Sequence, residues 1–275
     1  MTYANLMVHL ELGQSNAGLL RIAGDLAERL GAGVTGIVAC QPMQMAFGDA
    51  YVPGEVFEQD NNERKREIAQ AEAEFRAALQ TRAKALEWRK SVRFAALPEY
   101  VANEMRAADL LMTGVASGDM FDSSRAVNTG DLIMQAGRPV LVVPHGVEKL
   151  ALAHVLVGWR DSRETRRAVA DALPLLKLAA QVTVAEIAAP DDMAAAHKHV
   201  EDVVAWFRQH GVRAQSGASP TTGDDAAGLY TIAQDMGADL IVAGAYGHSR
   251  LMEWALGGVT RDLLLKQDYC ALLSH

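Results

Sequence analysis

Short apolar runs alternate with amphipathic stretches along the whole chain. In the first part, an apolar run at residues 5–8 is followed by a helical pattern over about 15–30 and by a second apolar run at 34–39. Gly31 lies where the helical pattern stops. Apolar runs of this length are typical of buried parallel strands, and the helices between them cover both faces of the sheet. The alternation therefore predicts an α/β fold with a doubly wound parallel sheet.

The pattern of the first half recurs in the second. The strand, helix and strand of residues 5–39 align without a gap with residues 154–188, at an offset of 149. A second match pairs Ala108–Gly114 with Ala238–Gly244, at an offset of 130. Self-similarity of this extent predicts an internal duplication.

The offset is 149 for the first match but only 130 for the second, so the first half contains 19 more residues between the two matched segments. These extra residues lie within about 41–95. A long charged helix from about Glu58 to Trp88 is predicted there. The two copies are predicted to be domains of residues 1–146 and 151–275. Because the linker between them is only a few residues long, the two domains should pack as a pseudo-symmetric pair.

A glycine-rich stretch follows the apolar run near the C-terminus. The run ends at Gly244, and Gly247, Gly257 and Gly258 follow before a predicted amphipathic helix. A strand, a glycine loop and a helix N-terminus bring free backbone amides and the positive end of the helix dipole to one point. The stretch therefore predicts an anion site. The alternative is a strand-to-helix loop whose glycines only shape the backbone.

The spacing Gly244-x2-Gly247-x9-Gly257, after a strand ending Ala-Asp-Leu-Ile-Val-x-Gly, resembles the nucleotide loop of the universal stress protein family. In that family the loop wraps the triphosphate and ribose of ATP. The resemblance covers essentially the whole chain and implies two tandem Rossmann-like domains of the adenine nucleotide alpha-hydrolase type, related by a pseudo-two-fold axis. The family has Ser or Thr after the last glycine, where this chain has Gly258. We expect the loss of that hydroxyl to weaken binding roughly three- to tenfold without abolishing it, and Thr260 is a candidate substitute.

The resemblance implies that the second half binds the nucleotide. Adenine and ribose would contact the ends of the first two strands of that half, and the loop amides would contact the phosphates. The residues assigned to the site are Gly158, Trp159, Arg160, Asp161, Ile187, Ala243, Gly244, Tyr246, Gly247, His248, Arg250, Gly257, Gly258, Val259 and Thr260.

One departure from the family pattern leaves two interpretations of the first strand's end. The family usually has Asp where this chain has Arg160. Either Arg160 pairs with phosphates as a bidentate donor, or it faces solvent while Asp161 or Ser162 caps the helix that begins at Arg163. The cap is the favoured interpretation.

The first half lacks the nucleotide loop. Ala126 or Val127 stands where the last glycine should be, and Asp119 and Asp122 put negative charge where a phosphate would lie. We expect this half to be a structural partner, with a different small ligand as the alternative.

Composition restricts the partners further. The net charge of −8 argues against a nucleic-acid partner but does not exclude a nucleotide. No apolar run approaches the roughly 18 to 20 residues that span a bilayer, and the N-terminus lacks the pattern of a signal peptide. We therefore expect a cytoplasmic protein without a membrane partner. Cys40 and Cys270 are expected to be small core residues. His197 and His199 are two apart on a predicted helix and cannot chelate one metal ion together.

The resulting hypothesis is an ATP-binding module of the stress response, with the nucleotide in the second domain. Whether Mg²⁺ accompanies the ATP is left open. The family commonly dimerises through its last strand, so the resemblance implies pairing of the two domains through their last strands and leaves a further homodimer open. One alternative is a slow ATPase or self-phosphorylating enzyme, for which Asp161 is the nearest candidate carboxylate. Another is a scaffold that has lost nucleotide binding in both halves.

Overall fold

The computed structural model describes residues 2–42, 54–115, 126–245, 263 and 268–275. Strands and helices alternate through these ranges. The strands are β1 (Asn5–His9), β2 (Gly33–Cys40), β3 (Leu86–Val92), β4 (Leu110–Gly114), β5 (Val140–Val143), β6 (His154–Trp159), β7 (Gln181–Ala188), β8 (Ala214–Pro220), β9 (Leu240–Gly244) and β10 (Cys270–Ser274). The helices are α1 (Ala17–Leu30), α2 (Gly54–Leu79), α3 (Leu97–Glu104), α4 (Thr129–Gln135), α5 (Arg163–Leu176), α6 (Met193–Gln209) and α7 (Asp225–Asp235).

The strands of the described ranges form one ten-stranded sheet, in the order β3-β2-β1-β4-β5-β10-β9-β6-β7-β8. Neighbours are parallel except β5 and β10, which are antiparallel. Side chains on one face pack against α1, α2, α5 and α6, and side chains on the other pack against α3, α4 and α7. Because both faces are covered, the inner strands are largely apolar, as buried parallel strands are. The predicted doubly wound α/β fold is confirmed.

The two halves repeat the same contacts as well as the same element order. The backbone nitrogen of Ala4 donates to Asp109 Oδ2 over 2.7 Å, and that of Ala153 donates to Asp239 Oδ2 over 2.8 Å. In each half the aspartate before the fourth strand thus fixes the start of the first strand. Ala4 and Ala153 are related by the offset of 149 found in the sequence repeat, and Asp109 and Asp239 by the offset of 130.

The gapless alignment of the first two strands is wrong by one residue. Asn5 lies opposite Gly33 in the first half, and His154 lies opposite Gln181 in the second. The offset is therefore 149 for the first strand but 148 for the second. The loop before α1 is longer than the loop before α5, and the shorter connection after α1 does not fully compensate.

The predicted helix from Glu58 to Trp88 is also wrong in its second part. The helix ends at Leu79, and Leu86–Val92 form β3, the outer strand of the first half. The Phe75 and Trp88 rings pack with centroids 5.3 Å apart. Gly36 leaves room for them, because a Cβ there would lie 2.6 Å from the Trp88 ring.

The junction of the two halves is the antiparallel pair β5–β10. Leu272 lies opposite Leu141 in this pair, and both side chains are fully buried. Contacts above the sheet also cross between the halves. The Tyr3 hydroxyl donates to the carbonyl oxygen of Asp171 over 2.5 Å, and Arg167 donates to that of Gly137 over 2.6 Å. The sheet and its hydrophobic core are therefore continuous from one half to the other.

The two cysteines lie inside this core, as expected. Cys40 and Cys270 are both buried, and burial raises the pKa of the Cys270 thiol to about 12. A thiol with so high a pKa stays protonated, so Cys270 is a packed core residue rather than a nucleophile. In the described part of the chain, no helix is long and apolar enough to cross a membrane.

Candidate functional site

A cavity of about 1040 Å³ opens at the carboxyl ends of the strands of the second half. Its walls are the ends of β6, β7 and β9, and the first turns of α5, α6 and α7. In an open parallel sheet this edge is where ligands bind, since the loops there diverge to the two faces. The cavity is therefore the candidate site among the described residues.

Three small residues form a row across the strand ends in this cavity. Gly158 on β6 lies opposite Ala185 on β7 and Ala243 on β9, and all three line the cavity. A Cβ on Gly158 would lie 3.1 Å from Leu229 Cδ2, so a larger side chain would enter the cavity. The row leaves a bare apolar floor on which a planar group can lie.

The first half has a polar and bulky row at the corresponding place. His9 on β1 lies opposite Ile37 on β2 and Thr113 on β4, where the second half has its small residues. His9 Nδ1 lies 3.0 Å from Thr113 Oγ1, and both side chains are buried. Glu11 adds a buried carboxylate, 3.8 Å from His145 Nε2. The first half therefore has larger or polar side chains at the register positions where the second half has Gly158, Ala185 and Ala243.

Gly244 ends β9 at the wall of the cavity, where α5 comes very close. A Cβ on Gly244 would lie 2.5 Å from the backbone nitrogen of Thr165 and 2.7 Å from the backbone carbon of Glu164. The first turn of α5 can therefore approach β9 only because residue 244 has no side chain. The glycine-rich stretch of residues 246–260 continues from this point.

Ser162 caps α5 in the way the favoured interpretation of this loop predicts. Its hydroxyl accepts a hydrogen bond from the backbone nitrogen of Thr165 over 3.2 Å. Asp161 does not line the cavity, because its carboxylate pairs with Arg166 over 2.5 Å. Arg160 is exposed and lies at the cavity wall.

Six of the residues assigned to the site from the sequence line this cavity, and one does not. Those in the lining are Gly158, Trp159, Arg160, Ile187, Ala243 and Gly244. Asp161 is the residue that the fold directs elsewhere. The others lie outside the described residues: Tyr246, Gly247, His248, Arg250, Gly257, Gly258, Val259 and Thr260. Their part in the site stays a prediction.

Sequence reasoning missed a polar end of the cavity, near β7 and β8. Glu186 Oε2 lies 3.2 Å from His199 Nδ1 on α6, and burial raises the pKa of Glu186 against the opposing effect of His199. Thr221 donates to Asp225 over 2.6 Å, and Asp224 caps α7. A carboxylate near the carboxyl end of a largely apolar strand is the signal that could have identified Glu186.

The described residues hold no group of three or more metal-ligating side chains. His197 is exposed, whereas His199 faces Glu186, so the two histidines do not converge. What the cavity offers is an apolar floor, a carboxylate at one end and the N-termini of three helices around it.

The buried His9 predicts a loss of stability in acid. Burial lowers its pKa from 6.5 to about 4, so the unfolded chain takes up this proton at a higher pH than the folded chain does. The stability that the neutral His9 contributes to the folded chain is fully present above about pH 6.5 and is lost as the pH falls towards 4. We expect the free energy of unfolding to fall by about 2 kcal/mol between pH 7 and pH 5 from this residue.

Urea denaturation across this range measures that loss, with His9→Gln as the variant that cannot titrate. The buried carboxyls with raised pKa values change in both proteins, so the difference between the two pH profiles isolates His9. Parallel profiles for the two proteins would contradict the assignment.

Solved structures identify the fold that carries this cavity. A scan against protein-family models and a search of curated proteins give no match. The universal stress protein from Archaeoglobus fulgidus DSM 4304 matches 98% of this chain and 95% of its own, at 12% identity and with a TM-score of 0.76. The chain has the universal stress protein fold. A putative universal stress protein from Pseudomonas aeruginosa UCBPP-PA14 matches 99% of this chain and 93% of its own, at 14% identity and with a TM-score of 0.61.

The match to the universal stress protein fold covers 98% of this chain, and the predicted resemblance is confirmed at the level of the fold. The universal stress protein from Archaeoglobus fulgidus in complex with dAMP is also similar, at 21% identity over 52% of this chain and 98% of its own, with a TM-score of 0.34. The dAMP is a ligand of that Archaeoglobus fulgidus protein. In this universal stress protein fold, the described cavity lies in the second copy of the repeat.

Proposed function

We propose that the chain binds an adenine nucleotide in the cavity of its second half. The observation that carries the proposal is the row of small residues, Ala185, Gly158 and Ala243, in a cavity that opens beside Gly244. The row accommodates a flat ring, and the glycine-rich stretch that follows Gly244 supplies backbone amides for phosphates. The place of this row in the first half is occupied by Ile37, His9 and Thr113, so the proposal assigns one nucleotide to each chain.

The dimensions and lining of the cavity fit a nucleotide. Its volume of about 1040 Å³ is at the upper end of the range of small-molecule sites. Ile187 and Leu229 add apolar surface around the row of small residues, which suits a base. Arg160 lies exposed at the cavity wall, where the favoured interpretation of this loop has it facing solvent rather than pairing with phosphates.

We assign binding rather than catalysis to this site. Asp161, the candidate carboxylate for turnover, is paired with Arg166 outside the cavity lining. Glu186 is held by His199 at the end of the cavity that lies farthest from β9. An ATPase would need a base or metal carboxylate near the phosphates. A role in the stress response follows only from the family resemblance and belongs to the proposal.

The proposal also includes pairing of the two domains through β5 and β10, the last strands of residues 1–146 and 151–275. Their edges face each other within the chain, in register from Val140 to Val142. A homodimer of the whole chain would therefore use another surface, because these two edges are already paired.

The first test is mass spectrometry of the small molecules that leave the purified protein on denaturation, followed by calorimetric titration with ATP, with and without Mg²⁺. We expect about one adenine nucleotide per chain, or saturable heat with ATP. No nucleotide, and no heat up to about millimolar ATP, would contradict the proposal and leave a pseudo-symmetric scaffold.

A bulky side chain at the cavity wall should block the site. Ala195 on α6 lines the cavity and is exposed, so Ala195→Trp fills the cavity without disturbing the core. We expect the dissociation constant for ATP to rise about tenfold or more, which corresponds to about 1.4 kcal/mol. Calorimetric titration measures it.

Ala194→Trp is the matched control for this variant. Ala194 is the neighbouring residue of the same helix, is also exposed and lies outside the cavity lining. Its affinity for ATP should stay within about twofold of the unchanged protein. Equal weakening in both variants would show that the ligand lies elsewhere.

A further inference from the structure

The cavity has two chemically different ends along the edge of the sheet. Gly244 on β9 marks one end, from which the glycine-rich stretch continues, and Glu186 on β7 marks the other. β6 lies between β9 and β7. Because neighbouring strands are about 4.8 Å apart, the two ends are separated by about 10 Å. A nucleotide with its phosphates near β9 therefore places its base near β7 and β8.

The end near β7 and β8 is rich in hydrogen-bond acceptors. The lining there includes the acidic residues Glu186, Asp192, Asp224 and Asp225, with His199 and Arg160 as the basic residues whose charges act on Glu186. An ionised carboxylate only accepts hydrogen bonds. A ligand group at this end must therefore bring donors.

Glu186 is the least exposed carboxylate of this set. Its side chain is 12% exposed, whereas Asp192, Asp224 and Asp225 belong to exposed residues. His199 on α6 contacts both carboxylate oxygens, at 3.2 and 3.4 Å, and holds the group in place. Two carboxylate oxygens offer about four acceptor sites, so His199 leaves acceptor capacity for a ligand in the cavity that Glu186 lines.

We propose that Glu186, positioned by His199, selects the base of the bound nucleotide by accepting a hydrogen bond from its exocyclic amino group. An amino group, as in adenine, donates to the carboxylate. A keto oxygen at the same ring position, as in hypoxanthine, faces the carboxylate with an acceptor in place of that donor, so this hydrogen bond is lost. Burial raises the pKa of Glu186, so a donor from the ligand also offsets the cost of keeping this carboxylate ionised.

This inference depends on the proposed nucleotide site and adds the residue that discriminates within it. ATP and ITP differ in the exocyclic group that would face Glu186, which is an amino group in ATP and a keto oxygen in ITP. A site built to hydrogen-bond one group rejects an analogue that cannot make the bond. We expect the full chain to bind ATP about tenfold or more tightly than ITP.

Calorimetric titration of both nucleotides into three proteins tests the inference. Glu186→Gln keeps the shape of the side chain, and its amide both donates and accepts. In this variant we expect weaker ATP binding, stronger ITP binding and a preference that falls to within about twofold. Asp191→Asn removes one negative charge from the neighbouring turn, outside the cavity lining, and should keep the preference of the unchanged protein.

The outcomes separate this inference from the proposed function. Equal affinities for ATP and ITP in the unchanged protein, or a preference that survives Glu186→Gln, overturn the role of Glu186 and leave the nucleotide site standing. Binding of neither nucleotide by the unchanged protein overturns both. A gain in ITP affinity in Glu186→Gln cannot come from a misfolded protein, so that result supports the inference directly.

Discussion

Gly244→Ala is expected to lower the free energy of unfolding by about 3 kcal/mol, whereas Gly114→Ala should cost less than about 1 kcal/mol. The two glycines end the corresponding strands β9 and β4. A Cβ on Gly244 would overlap the backbone of Thr165, which has no rotamer to escape into. A Cβ on Gly114 would meet Glu11 Oε1 at 2.6 Å, which is the far end of a side chain that can turn away.

Urea denaturation of the two variants measures this contrast. Each glycine is the last residue of its strand, so effects of alanine on the unfolded chain and on strand propensity largely cancel in the comparison. Equal costs at the two positions would mean that α5 is not fixed against β9 at Gly244. ATP titration of the same pair adds a second comparison, since only Gly244 lies in the described cavity.

The alternation of apolar runs and helices was enough to predict the fold, since strands such as Leu240–Gly244 are buried on both faces. Leu86–Val92 escaped prediction because an edge strand can carry charge. Arg89 pairs with Glu87 and Glu104 at the outer side of the sheet. The charged residues of β3 resemble those of the preceding helix α2. Hydrophobic periodicity alone therefore does not distinguish a solvent-exposed edge strand from a solvent-exposed helix.

The candidate site was predictable only in part, for a different reason. Gly158, Ala243 and Gly244 could be assigned because the resemblance to the universal stress protein family covers the strand ends on which they lie. The contact of Glu186 with His199 joins a strand to the following helix across 13 residues. Whether His199 contacts Glu186 depends on how α6 packs over β7, and a sequence pattern does not predict that packing. The same holds for Asp161, which a local contact with Arg166 turns out of the cavity.

The continuity of the sheet makes the two halves depend on each other for stability. The face covered by α1, α2, α5 and α6 has one hydrophobic core that includes residues of both halves, among them Leu141 and Leu272. A core that crosses the junction couples the unfolding of the parts it joins. Two domains in the sense of the sequence repeat are therefore expected to unfold together.

Leu272→Ala tests this coupling at its centre. Leu272 is fully buried on β10, opposite Leu141 on β5, so the variant leaves a cavity at the junction. We expect the free energy of unfolding to fall by about 3 kcal/mol, with a single transition retained. Met134→Ala, at a side chain that is 40% exposed, should cost about 0.5 kcal/mol or less.

Hydrogen exchange shows whether the loss is shared between the halves. The amides of β1 and β6, the first strands of the two halves, should lose protection in equal measure in Leu272→Ala, because both exchange through the same global opening. Loss of protection in β6 alone would show that the second half unfolds on its own. In that case the junction would hold two independent domains side by side, and a nucleotide in the cavity would stabilise only the half that binds it.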